Sequence, residues 1–507
     1  MYDVFPLLEE ADSFEPAHAG GLPIFRWDCA EYAMFYAPGC LCVVGLSDAA
    51  WFETCIAELG SLCHRQEPGT DLMAESRVPP KQGRALDWAA ELWRRAELAI
   101  AGARRLQEER FAPECLTLYM NNECNLDCVY CHTDPSPGPA PRLELEAIAA
   151  AADLVAETCR QKGRPFYGVF HGGGEPTLHR ERVEQALAML DAVASAHGVE
   201  LFRYVATNGV MSEQKAIWLA RHFDLIGLSC DGPAEIQNRQ RPRRDGDRGQ
   251  GATSPAVERT GHILCEEGCR LHVRTTITSA TLHLQAEIAD YICRQFSPEE
   301  IHFEPVYVGG RTSPSNGLDA RHAGDFVTHF LEAREVARQR GIYLMCSGSR
   351  LDTIHGPYCN VFRHTLNLVP GGVATACFEV TDAAQAARNG VKIGALNETG
   401  RFEIDHSRVQ ELRQQLGVIP AECADCFNRY HCVRECPDRC PLDGDAHSAN
   451  TMEPGFRCRT HKALAYATLH ETAQSLWSER VLEKDAHGKV YGTTILRPVL
   501  PVSPARD

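Results

Sequence analysis

The sequence predicts an α/β fold: a parallel sheet with helical crossovers in the middle of the chain, an N-terminal α+β unit before it and a cysteine-rich region after it. Three observations carry this reading. Apolar strand-like runs alternate with helix-length stretches between Cys115 and Val306. Residues 1–60 hold ten acidic side chains and one basic one, Arg26, a composition unlike the rest. From about residue 345 the apolar spacing becomes irregular and cysteines crowd together. A chain of 507 residues is also too long for one core and fits about three domains at roughly 150 residues each.

The elements follow in order. Pro23 to Leu46 reads as two apolar strands around a turn at Ala37-Pro38-Gly39, then a helix over about Asp48–Leu59. Pro79-Pro80-Lys81-Gln82-Gly83 punctuates, and Ala85–Arg110 is a polar-faced helix. The acidic surface of this unit is either a solvated face or a lure for a basic peptide segment. Strands are then expected at Cys115–Met120, Phe166–His171, Phe202–Ala206, Leu225–Ser229, Leu271–Ile277 and Ile301–Val306, with helices at 143–160, 180–197, 212–222, 255–268 and 284–296. Strands joined by helical crossovers make a parallel sheet. Spacing leaves open whether it stays flat or curls. Either way, reactive groups belong at the strand C-terminal ends. The arginine-rich stretch Asn238–Gln250 has no apolar run and reads as a long surface loop. No pattern stands out from Asp485 on, and there is no internal repeat. The expected units are 1–110, 111–310, a helical linker 311–344, a cysteine-rich domain 345–465 and a tail 466–507.

Composition excludes several classes. The formal charge is −17, with 68 acidic against 51 basic residues, which argues against a nucleic-acid partner. No run of 18 apolar residues is present, so no membrane-spanning helix is expected. Met1–Glu15 has no basic residue and does not read as a secretory signal, so a cytoplasmic location is expected. Disulfides are rare there, and 23 cysteines then point to a metal protein, with some thiols serving as small buried hydrophobes.

The first strand runs into Cys124-Asn-Leu-Asp-Cys128-Val-Tyr-Cys131. Structural zinc wants four ligands, no fourth cysteine is near, and His132 follows a ligand too closely to be a good partner. Three thiolates suit a [4Fe–4S] cubane with one iron left open. A zinc knuckle or three buried cysteines is the alternative. The second strand ends in His171-Gly172-Gly173-Gly174-Glu175, where glycines would let a ligand approach the backbone. The third ends in Thr207-Asn208-Gly209 and the fourth in Ser229-Cys230-Asp231-Gly232. Small and polar groups thus collect at one rim.

This set, CxxxCxYC, GGE, TNG and SxDG after successive strands, resembles the radical S-adenosylmethionine (SAM) enzymes over about residues 113–310. The resemblance implies a partial (β/α)6 barrel and a cluster on Cys124, Cys128 and Cys131 whose open iron SAM chelates. It implies that Gly173, Gly174 and Glu175 hold the SAM amino end and that Thr207 and Asn208 belong to the cofactor pocket. Ser229 and Asp231 would lie near its ribose and methionyl part, and Arg274 would meet its carboxylate. It further implies that the reduced cluster cleaves SAM to methionine and a 5′-deoxyadenosyl radical, which abstracts hydrogen from a substrate C–H bond.

Farther on, Cys359, Gly372, Cys377, Cys423-x2-Cys426-x5-Cys432-x3-Cys436 and Cys458 resemble the SPASM extension of peptide-modifying radical SAM enzymes. That resemblance implies two auxiliary [4Fe–4S] clusters and three clusters in all. The second auxiliary cluster takes Cys423, Cys426, Cys432 and Cys458. The first takes Cys359, Cys377 and Cys436 and lacks one ligand; Cys346 is the expected fourth, with Cys440 as runner-up. Family members often read CxGGC where this chain has Cys432-Val-Arg-Glu-Cys436, which alters the local turn and not the ligand spacing. Cys29, Cys40, Cys42, Cys55 and Cys63 are expected to pack the N-terminal core.

The expected activity is oxidative modification of a ribosomally made precursor peptide, with a flavodoxin or ferredoxin as electron donor. The alternative within the family is an anaerobic sulfatase-maturing enzyme. Its members usually carry an aromatic residue where this chain has His132, and lack so large an N-terminal unit. That unit resembles a leader-peptide recognition module in element order, which would bind by strand addition. Rivals from other classes are a non-catalytic zinc protein and an electron carrier. No catalytic base is assigned; Glu304, His302 and Tyr307 are candidates by position on the sixth strand.

Overall fold

The computed structural model describes residues 11, 13–16, 22–63, 83–135, 140–244, 251–307, 309–436, 440, 454–478, 483–484 and 490–494. Two sheets organise them. The first is antiparallel and six-stranded: β1 (Glu15–Pro16), β2 (Phe25–Asp28), β3 (Tyr32–Ala37) and β4 (Cys40–Gly45), then β17 (Val490–Thr494) and β16 (Glu483–Lys484) beyond β4. Between Pro23 and Leu46 three strands, β2 to β4, stand where the sequence suggested two, because the chain reverses again at Cys29-Ala30-Glu31 before the hairpin at Pro38-Gly39. Every residue of β3 and β4 is buried, since both faces are covered. Phe35, Cys40, Cys42 and Val44 face α1 (Ala49–Cys63) and α2 (Gly83–Glu108), packing with Phe52, Ile56 and Leu92. Met34, Tyr36, Leu41 and Val43 alternate to the other face and meet Phe427 and, from the long helix α12 (Phe456–Ser478), Tyr466 and Leu469. Cys29, Cys40, Cys42 and Cys55 are core or core-flanking residues here. The side chain of Cys63 lies outside the description.

The second sheet holds the parallel run β5 (Cys115–Leu118), β6 (Phe166–Phe170), β7 (Leu201–Thr207), β8 (Leu225–Ser229), β9 (Leu271–Ile277) and β10 (Glu300–Pro305), paired in chain order. The crossovers are α3 (Leu145–Lys162), α4 (Arg180–His197), α5 (Glu213–His222), α6 (Ala234–Gln240) with α7 (Ser254–Glu266), and α8 (Gln285–Phe296). Each helix lays an apolar stripe on the sheet; in α3 it is Ala147, Ile148, Ala151, Ala152, Val155, Ala156 and Cys159. Because β5 and β10 do not pair, the barrel is partial, as expected. A further helix, α9 (Ala323–Gln339), leads to β11 (Tyr343–Met345), which extends the sheet parallel to β10.

On the other side β12 (Thr365–Val369) runs parallel to β5 and continues as an antiparallel meander through β13 (Val373–Thr375), β14 (Lys392–Leu396) and β15 (Phe402–Ile404). Helices α10 (Ala383–Arg388) and α11 (His406–Leu416) pack around this meander. The cysteine-rich region therefore shares one eleven-stranded sheet with the barrel. The described part of 466–507 is not a loose tail: it completes α12 and supplies two strands to the N-terminal sheet. Among the described residues no helix is long and apolar enough to cross a membrane.

Candidate active site at the strand ends

The loop after β5 carries Cys124, Cys128 and Cys131 and is held from three sides. From β6, Gly174 N and Glu175 N donate to Asn121 O (2.9 Å) and Glu123 O (2.8 Å). From the α6 exit, Val129 N donates to Gln240 O (3.0 Å) and Asp127 N to Pro242 O (2.9 Å), while Arg244 Nε pairs with Asp127 Oδ1 at 2.8 Å. From the loop after β10, Arg311 N donates to Cys131 O (2.9 Å) and its guanidinium pairs with Asp127 (2.9 Å) and Asp134 (2.5 Å). The segment Asn238–Arg244, read from sequence as surface loop, is thus helix followed by a clamp on the cysteine loop; residues 245–250 lie outside the description.

The glycines act differently from the sequence expectation. A Cβ on Gly173 would lie 2.5 Å from Asn121 O, and one on Gly174 1.8 Å from Glu123 O. They admit the cysteine loop to within contact of their own backbone. Gly174→Ala is therefore expected to displace that loop and lose most SAM cleavage, while iron held by the C-terminal cysteines stays bound; paired iron and 5′-deoxyadenosine assays check this. Glu175 is buried and saturated: its carboxylate accepts from Thr177 N (3.2 Å), Thr177 Oγ1 (2.7 Å), Thr207 Oγ1 (2.8 Å) and Asn208 N (2.7 Å). It ties the β6 and β7 exits together. Asn208 donates to Asn125 Oδ1 (2.8 Å) and reaches Cys124 Sγ at 3.8 Å.

Asp231 is also fully buried and accepts from Tyr130 OH (2.6 Å), Gln240 Nε2 (2.8 Å) and Thr276 N (3.2 Å). Its carboxylate supports the cysteine loop through Tyr130, rather than pointing free into a ligand pocket. Arg241, missed from sequence because it sat in a run of arginines, is buried and donates to Tyr130 OH at 2.8 Å. Burial raises the Cys124 thiol to about 11 and Cys128 to about 12, and Arg241 pulls both back towards the thiolate. Ser229 pairs across the sheet with Arg274. Arg274 is deep in the barrel; burial opposes its charge, but Glu304, Tyr204 and Tyr307 outweigh burial and raise its pKa. Burial, then Arg274, hold His132 near about 4 and His171 near about 3, so both imidazoles stay neutral.

Two more thiol sets lie beyond. Cys423, Cys426, Cys432 and Cys458 act on one another electrostatically, and burial raises all four. Cys359 and Cys436 are hydrogen-bonded, which raises Cys359 and lowers Cys436; Cys377 and Cys440 stand close enough to act on Cys359. Cys346 does not join them. It follows β11, which runs beside β10, so it ends at the barrel rim against Glu304 and Arg457. The runner-up, Cys440, stands within electrostatic reach of Cys359 and Cys377, whereas the groups acting on Cys346 are Glu304, the Gly348 backbone and Arg457. Four thiolates around zinc would sit about 3.8 Å apart. Among the described residues no three sulfurs lie within 4.8 Å of one another. Three or four thiols in each set are the donor type and number that an iron–sulfur core takes.

The turn at Cys432–Cys436 keeps its shape without glycine. Arg434 and Glu435 take φ of 54° and 64°, a left-handed conformation costing about 1–2 kcal/mol per residue. Their side chains offset that: Arg434 caps the end of α11 at Gly417 O (2.9 Å), and Glu435 accepts from Cys458 N (2.9 Å) at the start of α12. Between the first and second thiol sets lies an aromatic cluster. His132 is 5.9 Å from Tyr307 and 6.1 Å from Phe378, and Phe378 is 6.0 Å from both Tyr307 and Tyr358, ring to ring. Three of these rings adjoin cysteines in sequence. Glu304 accepts from Ser347 N (3.1 Å) and Oγ (2.8 Å) beside this cluster, and the barrel mouth that the cluster faces is the candidate substrate chamber. His302 lies one step lower, away from the rim.

Residues 118–277 match the Radical SAM superfamily model. The barrel is a radical SAM domain, the domain of a superfamily of enzymes that take SAM and an iron–sulfur cluster, which sets the non-catalytic rivals aside. The chain is 24% identical over 291 residues to the Fe-coproporphyrin III synthase of Methanosarcina barkeri, covering 56% of this chain and 67% of that one. It is 26% identical over 161 residues to a cysteine-type anaerobic sulfatase-maturating enzyme of Clostridium perfringens, covering 31% of this chain and 42% of that one. Among solved structures, anSMEcpe with bound AdoMet matches with a TM-score of 0.54 at 19% identity, covering 71% of this chain and 99% of that chain. That likeness shows the shared fold.

Proposed function

We propose that this enzyme uses three [4Fe–4S] clusters to modify a ribosomally made precursor peptide oxidatively, in the cytoplasm and with electrons from a flavodoxin or ferredoxin. The observation that carries the reading is the pair of four-thiol sets beyond the rim, the nearer one reached from the chamber through Phe378. A substrate radical must lose a second electron to become an oxidised product, and a fully ligated cluster beside the chamber can take it. When bound, SAM and the reduced cluster supply the 5′-deoxyadenosyl radical that opens the reaction. The chain's own groups do the rest. Glu175 and Asp231 fix the loop that presents Cys124, Cys128 and Cys131. Arg274 offers a half-buried cation for the SAM carboxylate. Glu304, held by Ser347, is the carboxylate placed to accept a proton from substrate.

The peptide reading also draws on the N-terminal unit, whose strands-then-helices order fits a peptide-binding module. The outer edge of β4 is taken by β17, so strand addition would use the short edge strands β1 or β16. Deleting the unit is a poor test, because α12 would lose the sheet face that covers Tyr466 and Leu469. The better test incubates anaerobically reconstituted enzyme with SAM, dithionite and the short peptides encoded beside its gene. Mass spectra should show loss of hydrogen from one of them, coupled to 5′-deoxyadenosine. Formylglycine in a sulfatase peptide, or formation of Fe-coproporphyrin III from a tetrapyrrole precursor, would reject the reading in favour of the respective relative's activity.

A further inference from the structure

We propose that His272, Glu300 and His302 form a divalent-metal site of the zinc type on the barrel floor, separate from every cysteine set. The sheet register builds it. His272 on β9 pairs directly with Glu300 on β10, and His302 lies two residues on, opposite Arg274. Alternation along a strand therefore puts all three on the inward face that also carries Arg274 and Glu304. Their ligand atoms lie within 4.8 Å of one another, the one such set among the described residues.

The donor types are those of a metal centre. Two imidazoles and one carboxylate are a common three-ligand set for zinc, leaving a fourth position for water. Tetrahedral ligands at about 2.1 Å from zinc stand about 3.4 Å apart, so no pair must close by more than about 1.4 Å. Side-chain rotation suffices for that. The His302 imidazole lies inside the set: its buried Nε2 is in direct contact with Glu300 Oε1. An ion entering the set would replace this pairing, with the imidazole and the carboxylate both turning towards it. His302 and His272 rings stand 5.5 Å apart, tilted by 37°, which leaves room between their edges.

The surroundings balance the charge. Glu299 approaches His272 Nε2 at 3.8 Å but is held by Arg270 at 3.0 Å, and Arg350 near Glu300 is held by Asp352 at 2.9 Å. Glu300 is thus the carboxylate whose partners are the two imidazoles of the set. A bound ion would tie β9 to β10 one step below Arg274 and Glu304, fixing the two strands that aim those groups into the chamber.

The test uses full-length enzyme, first loaded with iron and sulfide, then given one equivalent of zinc and desalted. Zinc absorption spectroscopy should show a nitrogen/oxygen shell at about 2.0–2.1 Å with imidazole scattering. Bound zinc should fall at least tenfold in His272→Ala and in His302→Gln, with iron and sulfide content unchanged. A sulfur shell at about 2.3 Å, the absence of tightly bound zinc, or full zinc retention in both variants would overturn the proposal. The wild-type shell decides even if a variant fails to fold.

Discussion

Replacing Cys124, Cys128 and Cys131 together by Ala should abolish SAM cleavage while leaving about two thirds of the cluster iron in place. The loss should be total within detection, because among the described residues no other thiol set stands at the barrel's strand ends. The variant loses the Cys124–Asn208 and Cys131–Thr133 contacts but keeps the main ones that build the loop: Gly174 N and Glu175 N bond backbone oxygens, and Asp127, Asn121 and Tyr130 are untouched. The barrel should therefore fold, and the distant sets, carried by the β12–β15 meander and α12, should reconstitute. The measurements are iron per chain, the visible absorption of the remaining clusters and 5′-deoxyadenosine after dithionite reduction. Formation of 5′-deoxyadenosine by the variant, or loss of all iron, would reject the independence of the sets.

Much of the barrel was legible because its signals are local. Each strand from β5 to β10 is an apolar run that starts or ends within about two residues of its expected limits, and each crossover helix repeats its apolar stripe at the helical period. The rim motifs were legible as positions, since each directly follows a strand. Their roles were less so. Glu175 and Asp231 look like free acceptors in sequence, and only the three-dimensional arrangement reveals the donors from β7, α6 and β9 that saturate them. Arg241 was hidden by its arginine neighbours, which gave the whole stretch the look of a solvated loop. The pairing of β12 with β5, and of β17 with β4, joins segments hundreds of residues apart, and no local period encodes such a partner. Spacing also fails at Cys346: thirteen residues from Cys359 permit contact, but they carry no direction, and the parallel pairing of β11 with β10 sends Cys346 to the rim instead.

That difference yields the second large effect. Cys440→Ala should strip or destabilise the cluster on Cys359, Cys377 and Cys436, and product formation should fall by at least tenfold while SAM cleavage without substrate persists. Cys346→Ala should leave all cluster iron in place. The physical basis is the electrostatic neighbourhood of each thiol. Cys440 acts on both Cys359 and Cys377, whereas the groups acting on Cys346 are Glu304, the Gly348 backbone and Arg457. A cluster with four thiolates has no open iron, so it serves as an electron acceptor; with three it exposes an iron that substrate or solvent can take. Electron paramagnetic resonance of the two variants, each with the radical cluster cysteines also removed, separates the cases. A changed auxiliary spectrum in Cys346→Ala with an unchanged one in Cys440→Ala would reverse the assignment. An unchanged spectrum in both would mean a three-thiolate cluster, open to direct coordination of substrate beside Phe378 and Tyr358.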